Sequence, residues 1–150
     1  MSAAEDTTLR MERFFKAPPE RIFRAFTTPS ELRALWTSAD HPITDLKIDA
    51  RPGGGWSLTM EGMGPKPAVS RATYTEFKPP HLLAWTVLWE ADWAAGWKEM
   101  RVTLRFDAVP GGTKLSLVHE FFPDRATRDA HAGGWGGALD KLAKAVSASG

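Results

Sequence analysis

The segment that most constrains this chain is its end, His131-Ala-Gly-Gly-Trp135-Gly-Gly-Ala-Leu139-Asp-Lys-Leu142-Ala-Lys-Ala-Val146. Trp135, Leu139, Leu142 and Val146 recur at helical spacing and make one apolar stripe, while Asp140, Lys141 and Lys144 fall mainly on the other side. Ahead of it run short stretches of alternating apolar and polar residues broken by Gly and Pro, the pattern of strands. A one-faced helix that follows a meandering sheet has to bury its stripe against that sheet. Where the sheet curves strongly, the space between the two can stay open as a cavity.

Residues 9–16 alternate well enough for a first strand. Ala17-Pro18-Pro19-Glu20 ends it and opens a helix, since Pro suits a first turn; Ile22, Phe23 and Phe26 supply its apolar face. Thr28-Pro29-Ser30-Glu31 has the form of a capping box and predicts a second short helix carrying Leu32, Leu35 and Trp36. From Asp45 the period becomes two, with Leu46, Ile48 and Ala50 on one side, and Gly53-Gly54-Gly55 turns the chain into a strand over 56–60. These glycines join two strands, so they predict a turn with positive φ; a phosphate-cradling loop would lead into a helix. Further strands are predicted over 69–77, 82–89, 100–106 and, after Pro110-Gly111-Gly112, 113–122. Trp85, Trp89, Trp93 and Trp97 lie four apart, which also suits a helix. The β-leaning Thr86 and Val87, the lack of a cap and Gly96 favour strands joined by a loop over 90–97. The expected class is α+β in the helix-grip arrangement: a curved seven-stranded antiparallel sheet, two short helices after the first strand, a long C-terminal helix across the sheet, and an internal cavity. Residues 1–150 are expected to form a single domain, with a disordered tail at 1–8.

A chain of 150 residues carries one real core and is too short for two ordinary domains. Nineteen basic residues against eighteen acidic ones imply no general attraction to nucleic acid or anionic membrane. Arg21, Arg24 and Arg33, the nearest approach to a basic cluster, read as a solvated helix face. The absence of cysteine excludes disulfides, thiolate metal sites and cysteine nucleophiles. No apolar run approaches the roughly 20 residues that span a bilayer, and the polar start does not resemble a signal peptide, so a cytoplasmic protein is expected. Seven tryptophans stand against one tyrosine. Such side chains fill cores and also line pockets for flat molecules.

His119 shares the inward side of the last strand with Leu115, Leu117 and Phe121. An imidazole there can be a satisfied core histidine, a polar contact to a ligand, or a general acid or base. No catalytic residue is assigned; His119 comes nearest to one. His131 lies one turn before Trp135 and reads as a helix-start residue packed on the sheet. The histidines lack a short-spaced ligand motif, so no metal and no cofactor are assigned. Gly133, Gly134, Gly136 and Gly137 each cost a helix roughly 1 kcal/mol relative to alanine. They read either as a frayed first turn or as places where the backbone comes close to the sheet or a ligand. Asp49 and Arg51 read as a structural pair. There is no nucleophile elbow and no pair of inward carboxylates.

Several local patterns recur in a set order. They are Arg13-Phe14-Phe15-x-Ala17-Pro18, Thr28-Pro29-x-x-Leu32 leading to Trp36, and Asp49-x-Arg51-x-Gly53-Gly54. Then come Trp85, Gly112-Thr113-x-Leu115-x-Leu117-x-His119, and His131-x-x-Gly134-Trp135 with Leu139 and Leu142. Over about residues 9–146 the chain thereby resembles the homologues of the heat shock protein 90 ATPase activator, within the START/SRPBCC (Bet v-like) superfamily. The resemblance implies a container scaffold, used among its members for lipid and polyketide binding, by cyclases, and in chaperone activation. The activator's extra N-terminal chaperone-binding domain is expected to be absent, with eight residues before the first strand.

The resulting expectation is a binder of a small, largely apolar, ring-containing ligand, in a cavity of ~300–1,000 Å³ between the last helix and the sheet. Its expected lining is Trp36, Trp56, Leu58, Met60, Trp85, Val87, Met100, Val102, Leu104, Leu117, His119, Phe121, His131, Trp135 and Leu139, with Trp135 buried near His119. The alternatives are a chaperone partner that docks through exposed Trp93 and Trp97, or a cyclase, dehydratase or hydrolase working in the same cavity. Neither nucleic acid nor membrane is an expected partner, and the chain is compatible with a monomer or a homodimer.

Overall fold

Each alternating run becomes a strand with its apolar side turned inward. The computed structural model describes residues 7–62 and 64–149. Most of the tail expected at 1–8 therefore lies outside the described residues; the Thr7 carbonyl accepts the backbone N–H of Phe122 (3.2 Å). In chain order the elements are β1 (Leu9–Phe15), α1 (Pro19–Thr27), α2 (Pro29–Trp36), β2 (Ile43–Asp49), β3 (Gly55–Met60), β4 (Ala68–Lys78), β5 (Leu82–Glu90), β6 (Met100–Val109), β7 (Gly112–Glu120) and α3 (Arg125–Ser149). The loop over 90–97 holds a single 3₁₀ turn at Asp92–Ala94. The seven strands form one antiparallel sheet in the order β1-β7-β6-β5-β4-β3-β2. With α3 lying against this curved sheet, the architecture is the helix-grip fold. The register sets Trp85 opposite Val102, and Val102 opposite His119, in one row across β5, β6 and β7.

The β2–β3 turn depends on glycine for two different reasons. Gly53 has φ +80, which L side chains rarely adopt. At Gly55 an added Cβ would lie 2.0 Å from the Ala72 carbonyl oxygen, so β3 and β4 could not approach as they do.

The two short helices cover one end of the sheet. Phe23 and Phe26 of α1 meet Phe106 of β6 at ring distances of 5.3 and 6.1 Å. The capping box expected at Thr28 does not form: Thr28 is the N-cap residue, but its side chain makes no capping bond. Glu31 instead reaches back to α1, 2.6 Å from Arg21 and 3.5 Å from Arg24. The Thr28 N–H that a capping box would use already donates to the Arg24 carbonyl (3.0 Å), so the Glu31 carboxylate takes the cations. Arg33 donates to the Ile43 carbonyl at 2.6 Å. These arginines tie the helices together and to β2, while Arg24 and Arg33 stay exposed to solvent as a helix face would be.

Helix α3 begins six residues before His131. The Asp124 carboxylate accepts the Thr127 N–H at 2.7 Å, an N-terminal cap that also holds its carboxyl below the usual range. His131 and the four glycines around Trp135 therefore sit inside the helix and not in a frayed first turn. The stripe is buried as its spacing demands: Trp135, Leu139, Leu142 and Val146, joined by Ala138. At the rim, Asp140 pairs with Arg13 of β1 (2.8 Å), and Lys141 donates to the Thr37 carbonyl (2.7 Å).

A Cβ added at Gly133, Gly136 or Gly137 would meet nothing within 4 Å; at Gly134 it would touch Trp36 at 3.6 Å. Close backbone approach thus requires none of the first three. Gly136→Ala is expected to stabilise the protein by ~0.5–1 kcal/mol through helix propensity. Gly55→Ala is expected to destabilise it by ~1–3 kcal/mol through the clash with Ala72. Urea denaturation of both variants checks the pair, and a loss of stability in Gly136→Ala would contradict the packing described.

Candidate ligand-binding cavity

Between α3, the two short helices and the middle of the sheet lies a cavity of about 100 Å³. Its sheet side is built from Trp56, Leu58 and Met60 on β3, Trp85 and Val87 on β5, and Met100 and Val102 on β6. Trp36 of α2 closes one end, and His131 and Trp135 of α3 form the roof, with His119 of β7 below. All of these are on the expected lining. The cavity is smaller than expected because tryptophans fill much of the space: Trp36 meets Trp135 edge-on at 4.8 Å, and Trp56 meets Trp85 at 6.0 Å.

Leu104, Leu117 and Leu139, also expected on the lining, are fully buried in the core and away from the cavity wall. Phe121 is placed wrongly by strict alternation. It is 49% exposed and lies under the Arg101 guanidinium, 5.7 Å from its ring centroid. Its φ of +72 breaks the two-residue period just after β7 ends, so Phe122 turns inward in its place and stacks on His119 at 4.2 Å. The cavity wall also includes Phe26, Leu32, Ser70 and Trp89, which are absent from the expected lining. Alternation does signal two of them, since Ser70 shares a side with Ala72 and Tyr74, and Trp89 with Trp85 and Val87. From Trp89 an aromatic series leads outward, through Trp93 (5.3 Å) to Trp97 (a further 5.4 Å). Trp93 is exposed, whereas Trp97 is half-buried against the core.

The polar content of the wall is small and specific. Trp135 Nε1–H donates to His119 Nδ1 at 3.1 Å, a buried bond that joins helix to sheet. His119 Nε2 is buried and has no hydrogen-bond partner among the described residues. The Tyr74 hydroxyl is in the same situation, but Tyr74 is not on the cavity wall. His131 donates Nδ1–H to the Thr127 carbonyl (2.9 Å), and its ring lies 5.6 Å from that of His119. Burial, and next the neighbouring His131, push the His119 pKa down to about 3. Burial also lowers that of His131, against the opposing pull of its bond to Thr127. Both rings are therefore neutral near pH 7. Among the described residues no group of three or more histidine or acidic side chains is placed to hold a metal.

A family model described as Activator of Hsp90 ATPase homolog 1-like protein matches residues 16–147, most of the chain. The chain belongs to this family. Solved structures agree. The AHSA1 protein from Silicibacter pomeroyi is 26% identical, with 95% of this chain and 99% of that one covered and a TM-score of 0.78. A protein from Rhodobacter sphaeroides is 26% identical over 96% of this chain and 94% of its own, with a TM-score of 0.80. One from Chromobacterium violaceum is 26% identical over 92% and 96%, with a TM-score of 0.78. No curated protein matches the chain. No helix among the described residues is long and apolar enough to cross a membrane.

The buried histidine gives stability a definite pH dependence. Unfolded, His119 titrates at ~6.5; folded, it does so at about 3. Between those values the unfolded chain binds more protons, so stability is full above about 6.5 and is lost as pH falls toward 3. Unfolding at pH 7 and pH 5 should show the wild type losing roughly 1–2 kcal/mol more than His119→Phe, since each tenfold difference in proton affinity between the two states corresponds to ~1.4 kcal/mol. Equal losses in the two proteins would contradict the burial of a neutral His119.

Proposed function

We propose that the protein binds a small, largely apolar, ring-containing molecule in the cavity beneath α3, as a single-domain protein of the cytoplasm. One observation carries this reading: an apolar void whose wall includes His119, a side chain with a buried nitrogen, Nε2, that has no partner among the described residues. A close-packed interior seldom leaves either, because each costs stability. Their coincidence fits a site that a ligand completes. At about 100 Å³ the space suits a single ring, on the scale of the ~150 Å³ apolar cavities that take up benzene.

The enzyme reading has less support. A histidine with a pKa of about 3 is a poor proton acceptor at pH 7, and its Nδ1 is already engaged by Trp135. The chaperone-partner reading rests on the family and on exposed Trp93; Trp97, the other half of the expected docking patch, leans into the core.

Toluene tests the main reading. At saturation it should raise the melting temperature of the wild type, since a ligand at 100 times its Kd adds about 2.7 kcal/mol. Val102→Phe fills the void from the sheet side and should abolish the effect. A wild type indifferent to toluene and to comparable single-ring compounds would contradict the proposal.

A further inference from the structure

We infer that the cavity selects rings that carry a hydroxyl group, held between His119 Nε2 and His131 Nε2. This rests on the cavity reading above and adds the ligand's polar chemistry to it.

The inference follows from which nitrogen of each imidazole is already committed. An indole N–H can only donate. Because Trp135 Nε1–H points at His119 Nδ1, that nitrogen must be the unprotonated acceptor, and the single proton of the neutral ring sits on Nε2. His119 Nε2–H is thus a donor, buried and unpartnered. His131 is set the opposite way. Its Nδ1 faces the Thr127 carbonyl, which can only accept, so Nδ1 carries the proton and Nε2 keeps a lone pair. Two imidazoles in the wall of one cavity therefore offer one donor and one acceptor.

Their rings lie edge-on at 76° with centroids 5.6 Å apart. Rings this close can both be met by one small ligand in the cavity. A hydroxyl is the small group that both accepts and donates through one oxygen. It would accept from His119 and donate to His131, while its ring rests among Trp85, Met100 and Trp135. A carbonyl or ether oxygen would satisfy only His119, and an ammonium only His131. Carboxylates are disfavoured as well, because no cation stands in the wall.

Phenol and toluene are the probes, because they differ by hydroxyl against methyl on the same ring. An all-apolar cavity prefers toluene, since burying a hydroxyl without partners is unfavourable. Here the wild type should bind phenol about tenfold more tightly than toluene, the effect of hydrogen bonds made to otherwise unsatisfied buried groups. Long-range ¹H–¹⁵N spectra of the histidines should show His119 protonated on Nε2 and His131 on Nδ1. Phenol should move both Nε2 resonances, and toluene neither. His119→Phe keeps a ring in place and removes the donor, so its preference should turn to toluene. Should that variant fail to fold, the wild-type spectra and affinities decide alone.

Tighter binding of toluene by the wild type, or a His119 protonated on Nδ1, would overturn the inference while leaving the cavity reading intact. Failure of both probes to bind would overturn the cavity reading and the inference together.

Discussion

The hydrogen bond from Trp135 to His119 is the contact on which the rest of the structure turns. It joins the middle of α3 to β7, with both partners buried, so water offers neither of them an alternative. Breaking it would leave a donor and an acceptor unsatisfied in an apolar interior, which costs more than the bond's modest net contribution. It also sets the chemistry of the site. By occupying Nδ1 it fixes the tautomer of His119, and burial then keeps the ring neutral far below the usual histidine range. Phe122 stacks on the same ring, which leaves it little freedom to rotate.

Around this contact the protein balances packing against open space. Tryptophans from α2, β3, β5 and α3 pack edge to face and give most of the inner wall its rigidity. Wide, flat rings leave gaps where they cannot interdigitate, and Met60 and Met100 border the gap with adaptable side chains. The outcome is a void of single-ring size inside a family whose scaffold is a helix gripped by a curved sheet. The glycines of α3 flank Trp135 without being needed for contact at Gly133, Gly136 or Gly137. They lower helix propensity at the turn that roofs the cavity.

The element order is legible in the sequence because two periods carry it. Period two over 82–89 and 100–106 places Trp85, Val87, Met100 and Val102 inward, and helical spacing from Trp135 to Val146 places the stripe of α3. The meeting of Trp135 with His119 follows from combining them. Local signals that depend on competition or on a single dihedral angle are not legible in the same way. Thr28 to Glu31 reads as a capping box until Arg21 and Arg24 are seen to claim Glu31. Phe121 reads as inward until its positive φ is known. The start of α3 is not legible either: Asp124 caps it, but the apolar stripe that marks the helix begins only at Trp135. Cavity size cannot be read from spacing at all. The same inward tryptophans can line a large pocket or nearly fill it, and only their mutual angles decide.

The central claim is that an apolar void stands between α3 and the sheet. Diffraction from crystals of the protein under xenon pressure tests it most directly, because xenon enters apolar cavities of this kind and is located by its electron density. The account predicts one xenon atom bounded by Trp85, Met100 and Trp135, with the Trp135–His119 bond unchanged. Side chains collapsed into that space, with no xenon at the position, would contradict it.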